Sequence, residues 1–150
     1  HNCSGCSPGN IHGLRLEFYT DEQSVYTETI VPAHLCGYDD LVHGGIVSTI
    51  LDEVMSWTAI AMLKTFILTK SMTVDFLKPV YVGKTLRAKG DVIEKVSDRE
   101  AVISAELYDA EGRLCARSRG TFALISFDYA KRKGMIREED ISSYMSLITV

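Results

Sequence analysis

Nothing in this chain of 150 residues supplies a surplus of positive charge: 16 lysines and arginines face 20 aspartates and glutamates, a net charge of −4. A dedicated nucleic-acid binder needs a basic stripe that releases phosphate counterions, so no nucleic-acid partner is expected. No uninterrupted apolar run reaches the roughly 20 residues that cross a bilayer, because Asp52 and Glu53 break the best candidate, and no membrane span is expected. The opening HNCSGCSPGN lacks the charged-then-apolar layout of a secretory signal, and a cytoplasmic location is the default expectation. There is no internal repeat and no dividing linker. One domain over residues 1–150 is therefore expected, with an N-terminal cysteine-containing loop (1–12) and a C-terminal arm or short helix (128–150).

A second C-x-x-C is also missing. Cys3 and Cys6 form one such pair, and Cys36 and Cys115 lie far from it. Cys3 and Cys6 with His1 or His12 would supply three or four zinc ligands, but the spacing is a weak match to structural zinc sites. Two reduced thiols in a loop is the preferred reading.

What the chain does have is a long apolar stretch, Val42 to Leu63, that opens with His43-Gly44-Gly45 and holds only Asp52 and Glu53 as charges. Apolar residues over most of a helix's circumference put it inside the protein, where an ionised carboxylate costs several kcal/mol unless it is paired or has a task. Ser48, Asp52 and Ser56 recur every four residues and make one narrow polar stripe. Glu53 points about a hundred degrees away from Asp52.

The flanking segments read as strands. Gly13–Tyr19 alternates apolar and polar residues, Thr20–Gln23 is a turn, and Ser24–Val31 resumes strand composition. After the helix, Met72, Val74 and Phe76 oppose Ser71, Thr73 and Asp75 up to Lys78-Pro79. Thr85–Val96, Ala101–Tyr108 and Leu114–Phe127 follow, joined by tight turns at Ser97–Glu100 and Asp109–Gly112. In the tail, Ile141, Tyr144, Met145 and Ile148 suit one face of a short helix. An antiparallel sheet must cover the single apolar helix, which makes the architecture α+β. One sheet cannot readily cover that helix and also protect its own edges, so pairing with a second copy is expected.

The first helical amides have no partner within the helix, so the glycines after His43 form an oxygen site that suits a developing oxyanion or a bound carboxylate. Asp52, two to three turns further on, is a candidate general base or nucleophile, and the alternative is a carboxylate satisfied by a buried arginine or by amides.

Val42-His43-Gly44-Gly45 with Leu51-Asp52-Glu53, Asp75-Phe76-Leu77-Lys78-Pro79 and Arg119-Gly120-Thr121-Phe122 resembles the hotdog-fold thioesterases, closest to the phenylacetate-pathway (PaaI-like) branch of the 4-hydroxybenzoyl-CoA thioesterase superfamily. The resemblance implies a hotdog fold, a homodimer or dimer of dimers, and hydrolysis of acyl-CoA thioesters without a metal; coenzyme A is part of the substrate and no other cofactor is called for. It implies Asp52 as acidic catalyst, the Gly44 amide on the thioester carbonyl with Gly45 beside it, and His43 shaping the site. Ser56 and Thr69 take the positions of substrate-binding hydroxyls, and Glu53 that of a structural carboxylate. Relatives often carry Asn or Gln six residues before the histidine, where it binds substrate or water; here that position is Gly37, with His34, Asp39 and Asp40 in the same loop. Cations available for phosphates are Lys78, Arg87, Arg117, Arg119, Lys131 and Arg132. Trp57, Met55, Met62 and Phe66 are read as core before acyl pocket. A non-catalytic acyl-CoA-binding module is the alternative function, and dehydratase chemistry on the same fold ranks below it.

Overall fold

The computed structural model describes residues 2–146 and 148–149, with side chains as far as residue 142. One 20-residue helix, α1 (Gly44–Leu63), lies against a mainly antiparallel sheet, the α+β hotdog arrangement expected. The strands are β1 (Phe18–Thr20), β2 (Val25–Ile30), β3 (Phe66–Phe76), β4 (Thr85–Ser97), β5 (Glu100–Tyr108) and β6 (Leu114–Ile125). Helices α2 (Phe127–Arg132) and α3 (Glu138–Ser146) and a two-residue strand, β7 (Ile148–Thr149), complete the chain. The order across the sheet is β3-β6-β5-β4-β2-β1-β7, antiparallel at each step except β1 with β7.

Helix α1 begins at Gly44 rather than Val42 because His43 is extended (φ −60°, ψ 137°) and caps the helix, its Nδ1 accepting the Gly45 N–H at 2.9 Å. It ends at Lys64, which turns left-handed at φ 53° and donates its N–H to the Ile60 carbonyl. By length and composition α1 could cross a bilayer, yet it packs on the sheet, with Ile50, Leu51, Val54, Met55 and Trp57 essentially inaccessible. Burying each such side chain contributes about 1.5–3 kcal/mol, which makes α1 the centre of the core. Small residues on the facing strands let it come close. A Cβ at Gly90 would stand 2.9 Å from the Val54 carbonyl and overlap the Thr58 hydroxyl. On β5, Ala101, Ile103, Ala105 and Leu107 are buried and their neighbours less so, the period-2 pattern of a half-covered sheet.

The expected Gly13–Tyr19 strand is shorter: only Phe18–Thr20 pairs with β2. Leu14 and Leu16 instead donate to the Ser4 and Gly5 carbonyls at 2.8 and 2.9 Å, and Arg15 sits at φ 53°. The apolar alternation is real, with Leu16 and Phe18 buried, but its backbone partner is the N-terminal loop rather than a strand. Strand β6 stops at Ile125, before Phe127, because Ser126 accepts the Tyr129 N–H and starts α2. In the tail α3 forms as a short helix, while Ile148 belongs to β7 beside β1 and not to that helix. The side chains of Tyr144 and Met145 lie outside the described residues.

Candidate active site

Asp52 is half-buried on α1, and its carboxylate accepts a 2.8 Å hydrogen bond from the Thr69 hydroxyl. Strict alternation from Met72 would turn Lys70, not Thr69, towards the helix. A β-bulge between Thr69 and Ser71 inserts Lys70 as an extra residue opposite β6. The parity change brings Ile67 against the core and Thr69 to Asp52. Burial pushes the Asp52 carboxyl above its ordinary range, opposed by the Thr69 donor, and the charge of Cys3 adds to the rise. Among the described residues, Thr69 is the hydrogen-bond partner of Asp52, and neither an arginine nor a backbone amide satisfies it.

The N-terminus of α1 offers a different set of groups. The Gly45 N–H is occupied by His43 Nδ1. The Gly44 N–H makes no hydrogen bond among the described residues, which leaves it as the open donor of the first turn. Beside it is a cavity of about 200 Å³ lined by Val42, Val47, Phe76, Leu77, Val80 and Ala116, with Lys78 at its rim. A Cβ on Gly44 would meet only the Phe76 ring, at 3.7 Å.

These two sets do not meet within one chain. Asp52 and Gly44 are eight residues apart on the same helix, so about 12 Å of helix rise separates them. Ser56, one turn beyond Asp52, is half-buried, and its hydroxyl makes no hydrogen bond among the described residues. Gly37 lies beside His43: a Cβ there would stand 3.3 Å from His43 Cα, so a longer side chain at 37 would project over the helix start. His34, Asp39 and Asp40 are exposed in the same loop.

Glu53 faces the other way, into the N-terminal loop. Its Oε1 lies 3.3 Å from Cys3 Sγ. Burial first, and then the charge of Cys3, pushes its carboxyl up to about 8. The Cys3 thiol is held down near 5 by hydrogen bonds, that of Cys6 first, and Cys6 is correspondingly raised. Composition along the sequence carried no sign of this contact across 50 residues.

Among the candidate phosphate cations, Arg87 is paired with Glu28 at 2.8 Å, Arg117 with Asp75 at 3.1 Å and Lys131 with Glu138 at 3.2 Å, and Arg132 lies over the Tyr129 ring. Lys78 and Arg119 have no ion pair among the described residues. Met55 and Trp57 are fully buried core, Met62 packs on that core, and Phe66 meets Phe127 edge-on at 6.4 Å.

A curled antiparallel sheet around one central helix, with a capped glycine turn and a half-buried acid, defines a hotdog protein of the thioesterase kind. The profile of the thioesterase superfamily matches residues 40–116, just over half of the sequence, and the chain belongs to that superfamily of thioester hydrolases. Its fold is similar to that of AziG from S. sahachiroi (TM-score 0.69, 25% identity, 76% of this chain and 94% of that one). It is similar also to the PaaI protein of the E. coli phenylacetic acid degradation operon (0.69, 22%, 75% and 81%). A hypothetical thioesterase from Streptococcus pneumoniae, solved with coenzyme A, shares the fold as well (0.67, 20%, 74% and 86%). No curated protein matches the sequence.

Proposed function

We propose that the chain hydrolyses acyl-CoA thioesters in a site shared between two copies, with Asp52 from one and the Gly44 amide from the other. The observation that carries this reading is the separation of about 12 Å along α1 between an open oxyanion donor and a carboxylate held ready by Thr69, too far for both to act on one carbonyl in one chain. An antiparallel placement of two α1 helices would bring each Asp52 to the helix start of its partner. The edge strand β3 supports such pairing: it is 11 residues long, has no strand on its outer side among the described residues, and Leu68, Phe76 and the adjoining Leu77 are about half exposed. A dimer of dimers would cover further sheet surface.

In this scheme the thioester carbonyl accepts the N–H of Gly44 of the partner subunit, with the partner's Gly45 and His43 shaping the turn. The Asp52 carboxylate takes a proton from water as the water oxygen bonds to the carbonyl carbon. The negative charge moves to the carbonyl oxygen, where the amide stabilises it. Collapse breaks the C–S bond, and the coenzyme A thiolate leaves and takes up a proton. In the alternative route the Asp52 oxygen bonds to the carbonyl carbon and the C–S bond breaks, so the thiolate leaves and the acyl group stays on Asp52 as a mixed anhydride, which water cleaves to the free acid and the Asp52 carboxylate. Thr69 orients Asp52, Ser56 hydrogen-bonds the reacting end, and the reaction calls on no metal or separate cofactor. The apolar cavity by Gly44 suits an acyl or pantetheine segment, and Lys78 at its rim suits a phosphate. The pneumococcal relative solved with coenzyme A supports that choice of thiol carrier.

Gly37 favours a second reading, an acyl-CoA-binding module without turnover, since the amide side chain that relatives use there is absent. Incubating the protein with aromatic and aliphatic acyl-CoAs while following free thiol and thermal stability separates the two. Thiol release that is lost in Asp52→Ala supports hydrolysis; stabilisation by a thioester that stays intact overturns it.

A further inference from the structure

Among the described residues, one group of metal-ligating side chains comes together: Cys3, Cys6 and Glu53, with one ligand atom from each within 4.8 Å of the others. His12 is not part of it, and His1 lies outside the described residues. From this cluster we infer that the N-terminal loop and α1 hold a zinc-class divalent cation between the thiolates of Cys3 and Cys6 and the carboxylate of Glu53.

The donor set suits that ion. Zinc is bound by sulfur at about 2.3 Å and carboxylate oxygen at about 2.0–2.2 Å, so ligand atoms around it stand about 3.5–3.8 Å apart. Cys3 Sγ and Glu53 Oε1 are already 3.3 Å apart, and the third donor needs at most a small inward movement. Two thiolates select zinc over the hard cations magnesium and calcium. Cys6 is buried, whereas Cys3 and Glu53 are half-buried, which leaves a solvent side for entry and for a water as fourth ligand.

The surroundings are arranged around these donors. The Gly5 and Cys6 N–H groups both point at Cys3 Sγ, at 3.3 and 3.4 Å, and offset thiolate charge as outer-sphere donors do around metal sites. A Cβ at Gly5 would stand 2.3 and 2.4 Å from Glu53 Cγ and Cδ, so a side chain there would push the carboxylate from its place. The carboxylate therefore reaches the thiols through space that any other residue at position 5 would fill. The loop itself is tied down by Leu14 donating to the Ser4 carbonyl and Leu16 to that of Gly5. The site is separate from the Asp52–Thr69 pair, and its test does not depend on hydrolysis.

Binding places zinc on the two sulfurs and the carboxylate and releases to solvent the protons that these ligands still carry. The full chain, kept reduced and freed of metal, is titrated with Zn(II) and Co(II). We expect one ion per chain, proton release, a higher Tm with zinc, and sulfur-to-cobalt charge-transfer absorption with the intense visible bands of a tetrahedral site. Cys3→Ser and Cys6→Ser abolish that spectrum, Gly5→Ala weakens binding by about 10–100-fold, and Cys36→Ser leaves it unchanged. Should the variants fold poorly, alkylation mapped on the wild type decides: zinc should protect Cys3 and Cys6 and leave the rate at Cys36 unaltered. Absence of a thiolate–cobalt spectrum in folded wild type, its persistence in Cys3→Ser/Cys6→Ser, or equal alkylation with and without zinc overturns the inference.

Discussion

A site split between two copies predicts that two inactive variants rescue each other. Gly44→Pro deletes the first-turn amide of α1 that is open among the described residues, with little other change. Proline is well tolerated at the first helical position, the preceding His43 is already extended at ψ 137° as a pre-proline residue must be, and a Cβ at 44 meets only Phe76 at 3.7 Å. Loss of one oxyanion donor costs roughly a hundred- to thousandfold in kcat. Asp52→Asn removes the carboxylate from the other half of the site. In a dimer with one chain of each kind, one site combines Asp52 from the Gly44→Pro chain with Gly44 from the Asp52→Asn chain and is intact, while the other carries both defects. With random pairing, roughly a quarter of wild-type activity should return, because half the dimers are mixed and each holds one good site. Coexpression of the two variants with different affinity tags, followed by isolation of the mixed species and a free-thiol assay, measures this. A mixed dimer no more active than its parents would refute the shared site.

Three further outcomes follow from the same geometry. Thr69→Val removes the donor that favours ionised Asp52, so the acidic limb of the kcat/KM profile should move to higher pH; the hydrogen bond is worth about 1.5–3 kcal/mol, or about ten- to hundredfold in rate below that limb. Thr69→Ser should keep the wild-type profile, and a uniform loss at every pH would assign Thr69 another role. Burial raises the folded Asp52 carboxyl above its ordinary 3.8, so stability falls as pH rises through that range and stays reduced above it. Asp52→Asn should therefore melt higher than wild type at pH 7, with the gap closing on acidification; a lower melting point at pH 7 contradicts the strained carboxylate. Lys78→Ala should raise KM for acyl-CoA about tenfold, about 1.4 kcal/mol, with kcat nearly unchanged, and an unchanged KM would remove Lys78 from the phosphate site.

Helix α1 was legible because its apolar circumference leaves no doubt about burial, and the β4-β5-β6 meander because tight turns separate strands of clear alternation. Thr69 at Asp52 was reachable only through the resemblance. Counting alternate residues back from Met72 puts Lys70 inward, and only the pairing register with β6 shows the bulge that reverses it. The Glu53–Cys3 contact was hidden for a different reason: local patterns carry no information about which loop a helix face will meet 50 residues away. Leu14 and Leu16 had strand-like spacing and the right burial, but alternation reports which side chains go inward, not whether the backbone bonds to a strand or to a loop.

The most direct test of the central claim is release of free coenzyme A thiol by wild type and by Asp52→Asn, at equal concentration of protein shown by circular dichroism to be folded. Hydrolysis of at least one acyl-CoA by wild type, with a loss of several orders of magnitude in Asp52→Asn, is predicted. Equal rates in the two proteins on every hydrolysed substrate would contradict it.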